Sequence, residues 1–284
     1  MFSVLQAGKI EYLQSSIFDG CDFLVHAFCT RRGGASQDEY ASLNMSFHEG
    51  DEDSSVLQNW GRLAAAFAIP LEQFLVVNQV HKDNIFVINP YGGYFSSRAE
   101  LDYDAIVTDR VNVAICIKTA DCVPVLISDR IKKIIAVVHG GWRGTALGIT
   151  AKAIRLLQDK YGSTPEHILA AIGPSIGKCC YQVDSVVADS FNKQKGHEHF
   201  LLAGTGKNKW MLDLAEANRR QILDGGVPQE NIEVSDRCTR CNQDVFFSHR
   251  GAGGITGRQI NFMIIKGETP CRVLTFDEKN YSLQ

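Results

Sequence analysis

Apolar residues along the chain fall into short β-branched or aromatic runs bounded by turn residues, with amphipathic stretches between them. The runs predict strands at Phe23–Cys29, Phe74–Val80, Ile85–Ile88, Ala105–Thr108, Val113–Lys118, Val123–Ser128, Ile134–His139, Ile168–Ile172, Asn231–Val234, Val245–Ser248 and Gln259–Ile265. Helices are predicted over Ser54–Phe67, Thr145–Tyr161, Val183–Asn192 and Leu212–Asp224. In the second helix Ala146, Ile149, Ala153, Ile154, Leu156 and Leu157 follow a 3.6-residue period, and Gly162 stops it. Asp184 and Asp213 are expected to cap the third and fourth. No repeat, linker or break in composition divides the sequence. The alternation predicts one layered α/β domain over residues 1–284, with mixed β-sheets flanked by helices. Pro90–Arg98 and Lys193–Lys209 are expected to be surface loops.

Composition narrows the class. The 284 residues are 45% hydrophobic and 21% charged, an ordinary globular balance able to fill a core. A formal net charge of -3 carries no global signature of binding to nucleic acid or anionic lipid, so a small substrate is expected. The first residues lack a basic stretch followed by a signal-length apolar run, and no later run reaches transmembrane length. A cytoplasmic location is therefore expected, without a membrane partner. Nine cysteines, mostly inside apolar runs, read as reduced thiols rather than a disulfide framework.

Three soft-metal ligands stand at the ends of apolar runs: His81, Cys122 and His139. Strand ends in layered α/β proteins converge on one rim, where distant ligands can meet. Two imidazoles and a thiolate suit zinc, and three protein ligands leave a fourth position open for water or substrate. Each residue also has a plainer reading: a strand-terminal histidine bonded to a carbonyl, or a small buried thiol.

His139 opens His139-Gly140-Gly141-Trp142-Arg143, where free backbone amides and Arg143 can seat an anion; a tight strand-to-helix turn would look the same. Thr30-Arg31-Arg32-Gly33-Gly34-Ala35-Ser36, with Ser42-Leu43-Asn44, offers a second polar, glycine-rich loop. Cys238-Thr239-Arg240-Cys241 has ligand spacing but no complete second pair. Its two thiols read as structural or incidental, with a redox pair as the alternative. The adjacent Cys179 and Cys180 are expected not to share one face, since neighbouring side chains on an extended chain point to opposite faces. His197-Glu198-His199 reads as surface.

Taken together, Thr30-Arg31-x-Gly33-Gly34-x-Ser36, Ser42-Leu43-Asn44, Asn78-Gln79-Val80-His81, Thr119-Ala120-Asp121-Cys122-Val123-Pro124, His139-Gly140-Gly141-Trp142-Arg143-Gly144, Ile172-Gly173-Pro174-Ser175-Ile176-Gly177, and Phe246-Phe247-Ser248-His249-Arg250 through Thr256-Gly257-Arg258 closely resemble the YfiH-like family. Its members are also called laccase-domain proteins or multicopper polyphenol oxidases. The resemblance runs from about Phe23 to Ile265. It implies a zinc enzyme of purine nucleosides: phosphorolysis of adenosine, inosine, guanosine and methylthioadenosine, and deamination of adenosine. It also implies that His81, Cys122 and His139 hold the metal. Many relatives read His-Ala-Gly-Trp where this chain has Gly140, and Lys118 stands where relatives often carry an apolar residue.

On this resemblance zinc-activated water would be directed at C6 of adenosine, and phosphate at the anomeric carbon with Arg31 or Arg143 neutralising its charge. Asp121 is a candidate proton carrier or, preferably, a partner orienting a histidine. Asn44 and Gln79 are candidates for ribose or base, Ser36 for phosphate, and Arg250 and Arg258 for completing the pocket. The laccase label implies copper and oxygen chemistry. Eight histidines with one His-x-His pair are few for several coppers, and no axial methionine is evident among Met1, Met45, Met211 and Met263. Copper at the trio is expected as an adventitious or alternative metal. The other classes are a copper-dependent polyphenol oxidase, a metal enzyme of another amine or peptide metabolite, and a non-enzymatic metal-stabilised module. The sequence carries no signal of oligomeric state.

Overall fold

A computed structural model describes residues 1–88, 102–192, 194 and 196–267. In chain order its strands and α-helices are β1 (Phe2–Ala7), β2 (Ile10–Ser15), β3 (Leu24–Cys29), α1 (Asp53–Phe67), β4 (Phe74–Val76), β5 (Ile85–Val87), β6 (Ala105–Thr108), β7 (Ala114–Thr119), β8 (Val123–Asp129), β9 (Ile134–Gly140), α2 (Trp142–Ala146), α3 (Ile149–Tyr161), β10 (Ile168–Ile172), β11 (Gln182–Asp184), α4 (Ser185–Phe191), β12 (Leu201–Ala203), β13 (Lys209–Leu212), α5 (Leu214–Asp224), β14 (Ile232–Val234) and β15 (Gln259–Ile265). Two six-stranded sheets run β1-β2-β3-β15-β7-β4 and β14-β10-β8-β9-β6-β5; a three-stranded sheet runs β11-β13-β12. The pairs β4–β7, β5–β6 and β10–β14 are parallel and the others antiparallel, so both large sheets are mixed. Mixed sheets flanked by helices is the fold class expected.

The long apolar runs have a simple cause: both faces of the central strands are covered. Ile115, Ile117 and Met263 of the first sheet meet Leu126, Ile135 and Val137 of the second in one core. On the outer side of the first sheet, Ala114, Cys116 and Phe262 pack with Val56, Trp60 and Leu63 of α1. On the outer side of the second, Val125, Ala136 and Val138 pack with Ile149, Ala153 and Leu157 of α3 and with Ala217 and Ile222 of α5. The result is four layers, helix–sheet–sheet–helix.

Several expectations change. The helix over Thr145–Tyr161 is two helices, because Gly148 adopts φ +80° and breaks the ladder between α2 and α3. Gly162 stops α3 as expected, and Asp184 and Asp213 accept from Val187 N–H and Glu216 N–H as caps. Val245–Ser248 is not a strand. The Gln259 side chain accepts from Phe247 N–H (2.9 Å), occupying a backbone group that a ladder would use. Residues 90–98 and Cys271 lie outside the described residues. The hairpin of β1 and β2 escaped prediction because β1 is largely exposed and shows no apolar face.

Candidate metal centre

The chain crosses between the two large sheets at the segment joining β4 to β5 and again at the turn joining β7 to β8. His81 lies on the first crossing and Cys122 on the second. His139 sits near the end of β9, paired with Pro124 of β8. The ligand atoms of all three lie within 4.8 Å of one another. Cys122 Sγ is 3.9 Å from His81 Nε2, and the two imidazoles meet edge to face at 4.8 Å between centroids. His139 is buried, Cys122 half-buried and His81 exposed, so the group opens to solvent on the His81 side. Gly141 keeps that space clear: a Cβ there would lie 2.9 Å from His81 Cδ2 and 3.5 Å from Cys122 Sγ.

Asp104, fully buried just before β6, organises two of the three ligands. Its carboxylate accepts from the backbone N–H groups of Val80 (3.3 Å), His81 (3.0 Å) and Lys82 (2.7 Å), holding His81 in the left-handed region at φ +57°. The same carboxylate lies 2.7 Å from His139 Nδ1. That contact fixes a proton on Nδ1 and leaves Nε2 as the atom available to a metal. Burial alone would raise the Asp104 pKa; His139 and the backbone donors outweigh it and hold the carboxylate below its ordinary value. Asp104 therefore has the histidine-orienting place expected of Asp121.

Burial pushes the Cys122 thiol up, but the neighbouring imidazoles outweigh it and bring its pKa down to about 6. Burial pushes His139 down, while the Cys122 thiolate and Asp104 carry it up to about 9. A thiolate facing an imidazolium in a confined space is suited to exchanging that proton for a divalent cation.

The remaining sequence-derived candidates divide into two groups. Asp121 uses one oxygen to accept from Thr239 Oγ1 and the other from Arg250 N–H, both at 2.6 Å, and so ties the Cys122 turn to the segment before β15. Gln79 clamps the Lys118 backbone through both ends of its amide, each contact 2.7 Å. Arg31 donates to the carbonyls of Ala41 and Gln243 and stacks over Phe247. Asn59 of α1 holds Ser36 and the Asn44 carbonyl. Asn44 Oδ1 in turn accepts from Arg258 N–H, and Arg258 pairs with Glu49. The polar atoms of Arg31, Ser36, Asn44, Gln79 and Arg258 are thus engaged inside the protein.

Arg143 differs. Its exposed guanidinium stacks on Trp142 at 4.3 Å and makes no hydrogen bond or ion pair among the described residues. Arg250 lies over Tyr181 and donates to the Gln182 carbonyl. Burial raises the Tyr181 hydroxyl well above its usual range, and Cys122 adds to the rise while Arg250 and Arg143 oppose it. Tyr181 was missed by sequence reasoning; its position at the end of a glycine-containing loop after β10 was the available signal.

The second finding outside expectation is that Cys179, Cys180, Cys238 and Cys241 bring all four sulfurs within 4.8 Å of one another. Cys179 and Cys180 do not lie on an extended strand. The chain turns there, with Cys180 N–H donating to the Gly177 carbonyl, so neighbouring side chains can reach one point. His197 and His199 sit beside Glu198 at the surface, as expected. A cleft of about 270 Å³ beside Gln194, Phe200, Arg220 and Gln221 shares no residue with either cluster.

The arrangement defines a class: mixed α/β proteins that assemble a His–Cys–His centre at the seam between two stacked sheets. Residues 25–266 match the family described as multi-copper polyphenol oxidoreductase laccase, and the chain belongs to that family, the laccase-like or YfiH family. A relative named purine nucleoside phosphorylase YlmD, from Geobacillus stearothermophilus, is 39% identical over 244 residues, covering 84% of this chain and 89% of the relative. A prokaryotic protein named adenosine deaminase RL5, of unknown organism, is 34% identical over 240 residues, covering 82% and 91%. The crystal structure of YlmD from Geobacillus stearothermophilus superposes with a TM-score of 0.84 at 35% identity, covering 94% of this chain and 99% of that one.

Proposed function

We propose that this chain is a zinc-dependent purine nucleoside phosphorylase acting on adenosine, inosine, guanosine and methylthioadenosine, with adenosine deaminase activity. The observation that carries the reading is the solvent-open His81–Cys122–His139 group with His139 oriented by Asp104. The names borne by the relatives supply the substrate class. Two imidazole nitrogens and a thiolate fit zinc in kind and number. When bound, zinc supplies Lewis acidity towards water or a substrate oxygen.

The protein's own residues do the rest. Asp104 keeps the His139 donor aimed and the His81 loop in place. Arg143, whose guanidinium is uncommitted, neutralises phosphate. Tyr181, flanked by Arg250, provides an aromatic face beside the centre for the purine. Asp121 has both oxygens occupied, which favours a positioning role over proton transfer. Arg31, Ser36, Asn44, Gln79 and Arg258 frame the pocket rather than touch substrate. The protein works in the cytoplasm; among the described residues no helix is long and apolar enough to cross a membrane.

A copper-based phenol oxidase has less support. Among the described residues the other six histidines join no group of three or more metal-binding side chains. Met45 and Met263 are buried in the two sheet cores and Met211 lies in β13.

The deciding experiment gives adenosine to the zinc-loaded protein with and without phosphate and separates the products by chromatography, beside Cys122→Ala. Adenine with ribose-1-phosphate only when phosphate is present, and inosine without it, are expected, both lost in the variant. No turnover by a zinc-loaded protein, or oxygen uptake with phenols by a chain holding several coppers, would overturn the proposal.

A further inference from the structure

The geometry points to a second metal site: Cys179, Cys180, Cys238 and Cys241 hold a closed, structural zinc ion. It is independent of the His–Cys–His centre and of the reaction assigned to it.

The spacing of the sulfurs is the first ground. Cys241 Sγ lies 3.7 Å from Cys179 Sγ and 3.4 Å from Cys180 Sγ, and all four sulfurs fall within 4.8 Å of one another. A tetrahedron of thiolates around zinc, with bonds of about 2.3 Å, places its corners roughly 3.8 Å apart. These distances are far longer than a disulfide bond, and the cysteines are free. All four donors are sulfur, which selects a soft or borderline cation over calcium or magnesium. No ligand position is left over for water, the mark of a structural rather than catalytic site.

The surrounding backbone is the second ground. Gly177 N–H donates to Cys238 Sγ at 3.2 Å, a contact that stabilises a thiolate. Ser175 and Cys238 form a parallel bridge, and Thr239 N–H donates to the Ser175 carbonyl. The Asn242 backbone and side chain both donate to the Cys238 carbonyl, fixing the Cys-x-x-Cys turn. Arg240 donates to the Cys180 carbonyl and brings positive charge beside a site that carries a net charge of about −2 when four thiolates bind one dication. Binding releases the four thiol protons and changes no oxidation state.

The site joins the loop after β10 to the segment after β14. Those two segments carry Tyr181, Thr239 and Arg250, and the last two hold Asp121 next to Cys122. The second zinc therefore braces one wall of the first centre from outside it.

The test is metal content of protein purified under reducing conditions with zinc. Elemental analysis is expected to find two zinc ions per wild-type chain, one in Cys122→Ala, one in Cys238→Ser/Cys241→Ser, and none when all three cysteines are replaced. In Cys122→Ala, chelation should lower the thermal midpoint and expose four thiols to a thiol reagent. Cobalt substitution of that variant should give the intense charge-transfer absorption of a tetrathiolate. Should the double variant not fold, Cys179→Ser combined with Cys122→Ala gives the same reading through weakened zinc retention. A Cys122→Ala chain that is purified with zinc yet holds none, its four thiols reacting before any chelator is added, would overturn the proposal. So would a mass lower by two hydrogens per disulfide, or iron or copper in place of zinc.

Discussion

Asp104 acts on both histidines through position alone. It precedes β6, whose Ala105 pairs with Val138 of β9, and this register sets its carboxylate beside His139. No pattern in the sequence reveals a register that sets side by side two residues 35 positions apart, which is why the carboxylate adjacent in sequence, Asp121, was the natural candidate. The cluster of His81, Cys122 and His139 was legible because His and Cys at the ends of apolar runs are informative residue types. Asp104→Asn keeps the shape but weakens the imidazole's acceptor partner and the hold on the His81 loop. Zinc affinity is expected to fall by about 10- to 100-fold, measured by chelator competition. Gly141→Ala asks a different question. Gly141 has φ −69°, so alanine meets no backbone penalty, but its Cβ intrudes on His81 and Cys122. Activity is expected to fall on the order of 10-fold or more through a displaced ligand, with the thermal midpoint nearly unchanged; unaltered activity would mean that the three ligands need not converge.

At the level of elements, the loop from Arg31 to Ser46 shows how a polar, glycine-rich segment can imitate an anion seat. Its hydroxyls and amides serve α1 instead. From a fully buried position, Asn59 accepts from Ala35 N–H (2.6 Å) and donates to Ser36 Oγ and to the Ser42 and Asn44 carbonyls. Sequence identifies the residue types but not the partner, because α1 approaches this loop only when the helix packs on the first sheet. Asn59→Ala strips several buried groups of their partner at once, and roughly 2–3 kcal/mol of stability is expected to be lost in urea unfolding. A loss under 0.5 kcal/mol would show the network to be dispensable. Val245–Ser248 failed as a predicted strand for a related reason: Phe246 and Phe247 are both buried, which suits a strand covered on two sides, yet a glutamine side chain takes the place of a neighbouring strand. The adjacent Cys179 and Cys180 misled in the opposite direction, since opposed side chains are a property of extended backbone and the chain turns there.

Across the whole molecule, the contact between the two large sheets contains ionisable groups as well as apolar ones. His26 of β3 accepts from Ser15 N–H at 3.0 Å and packs edge to face against Phe18. Glu233 of β14, in the other sheet, accepts from Ser15 Oγ and Ile17 N–H and pairs with the Met1 amino group. Burial is the main influence on His26 and lowers its pKa from 6.5 to about 4, with Glu233 opposing. Between those two values the unfolded chain binds a proton that the folded chain refuses, so stability must fall as pH drops from about 6.5 towards 4 and level off below. The full difference corresponds to about 3 kcal/mol. Glu233 acts in the same direction at lower pH: burial would raise its pKa, but the amino terminus, Ser15 and Ile17 hold it below the ordinary glutamate value, and its contribution is lost as it protonates. His26→Phe removes the first effect alone. The variant forfeits the Ser15 hydrogen bond at every pH, a constant cost, but its urea midpoint should change little between pH 7 and 4.5 compared with the wild type. Parallel pH profiles for the two proteins would show that His26 protonates without disturbing the seam between the sheets, and that acid lability lies elsewhere.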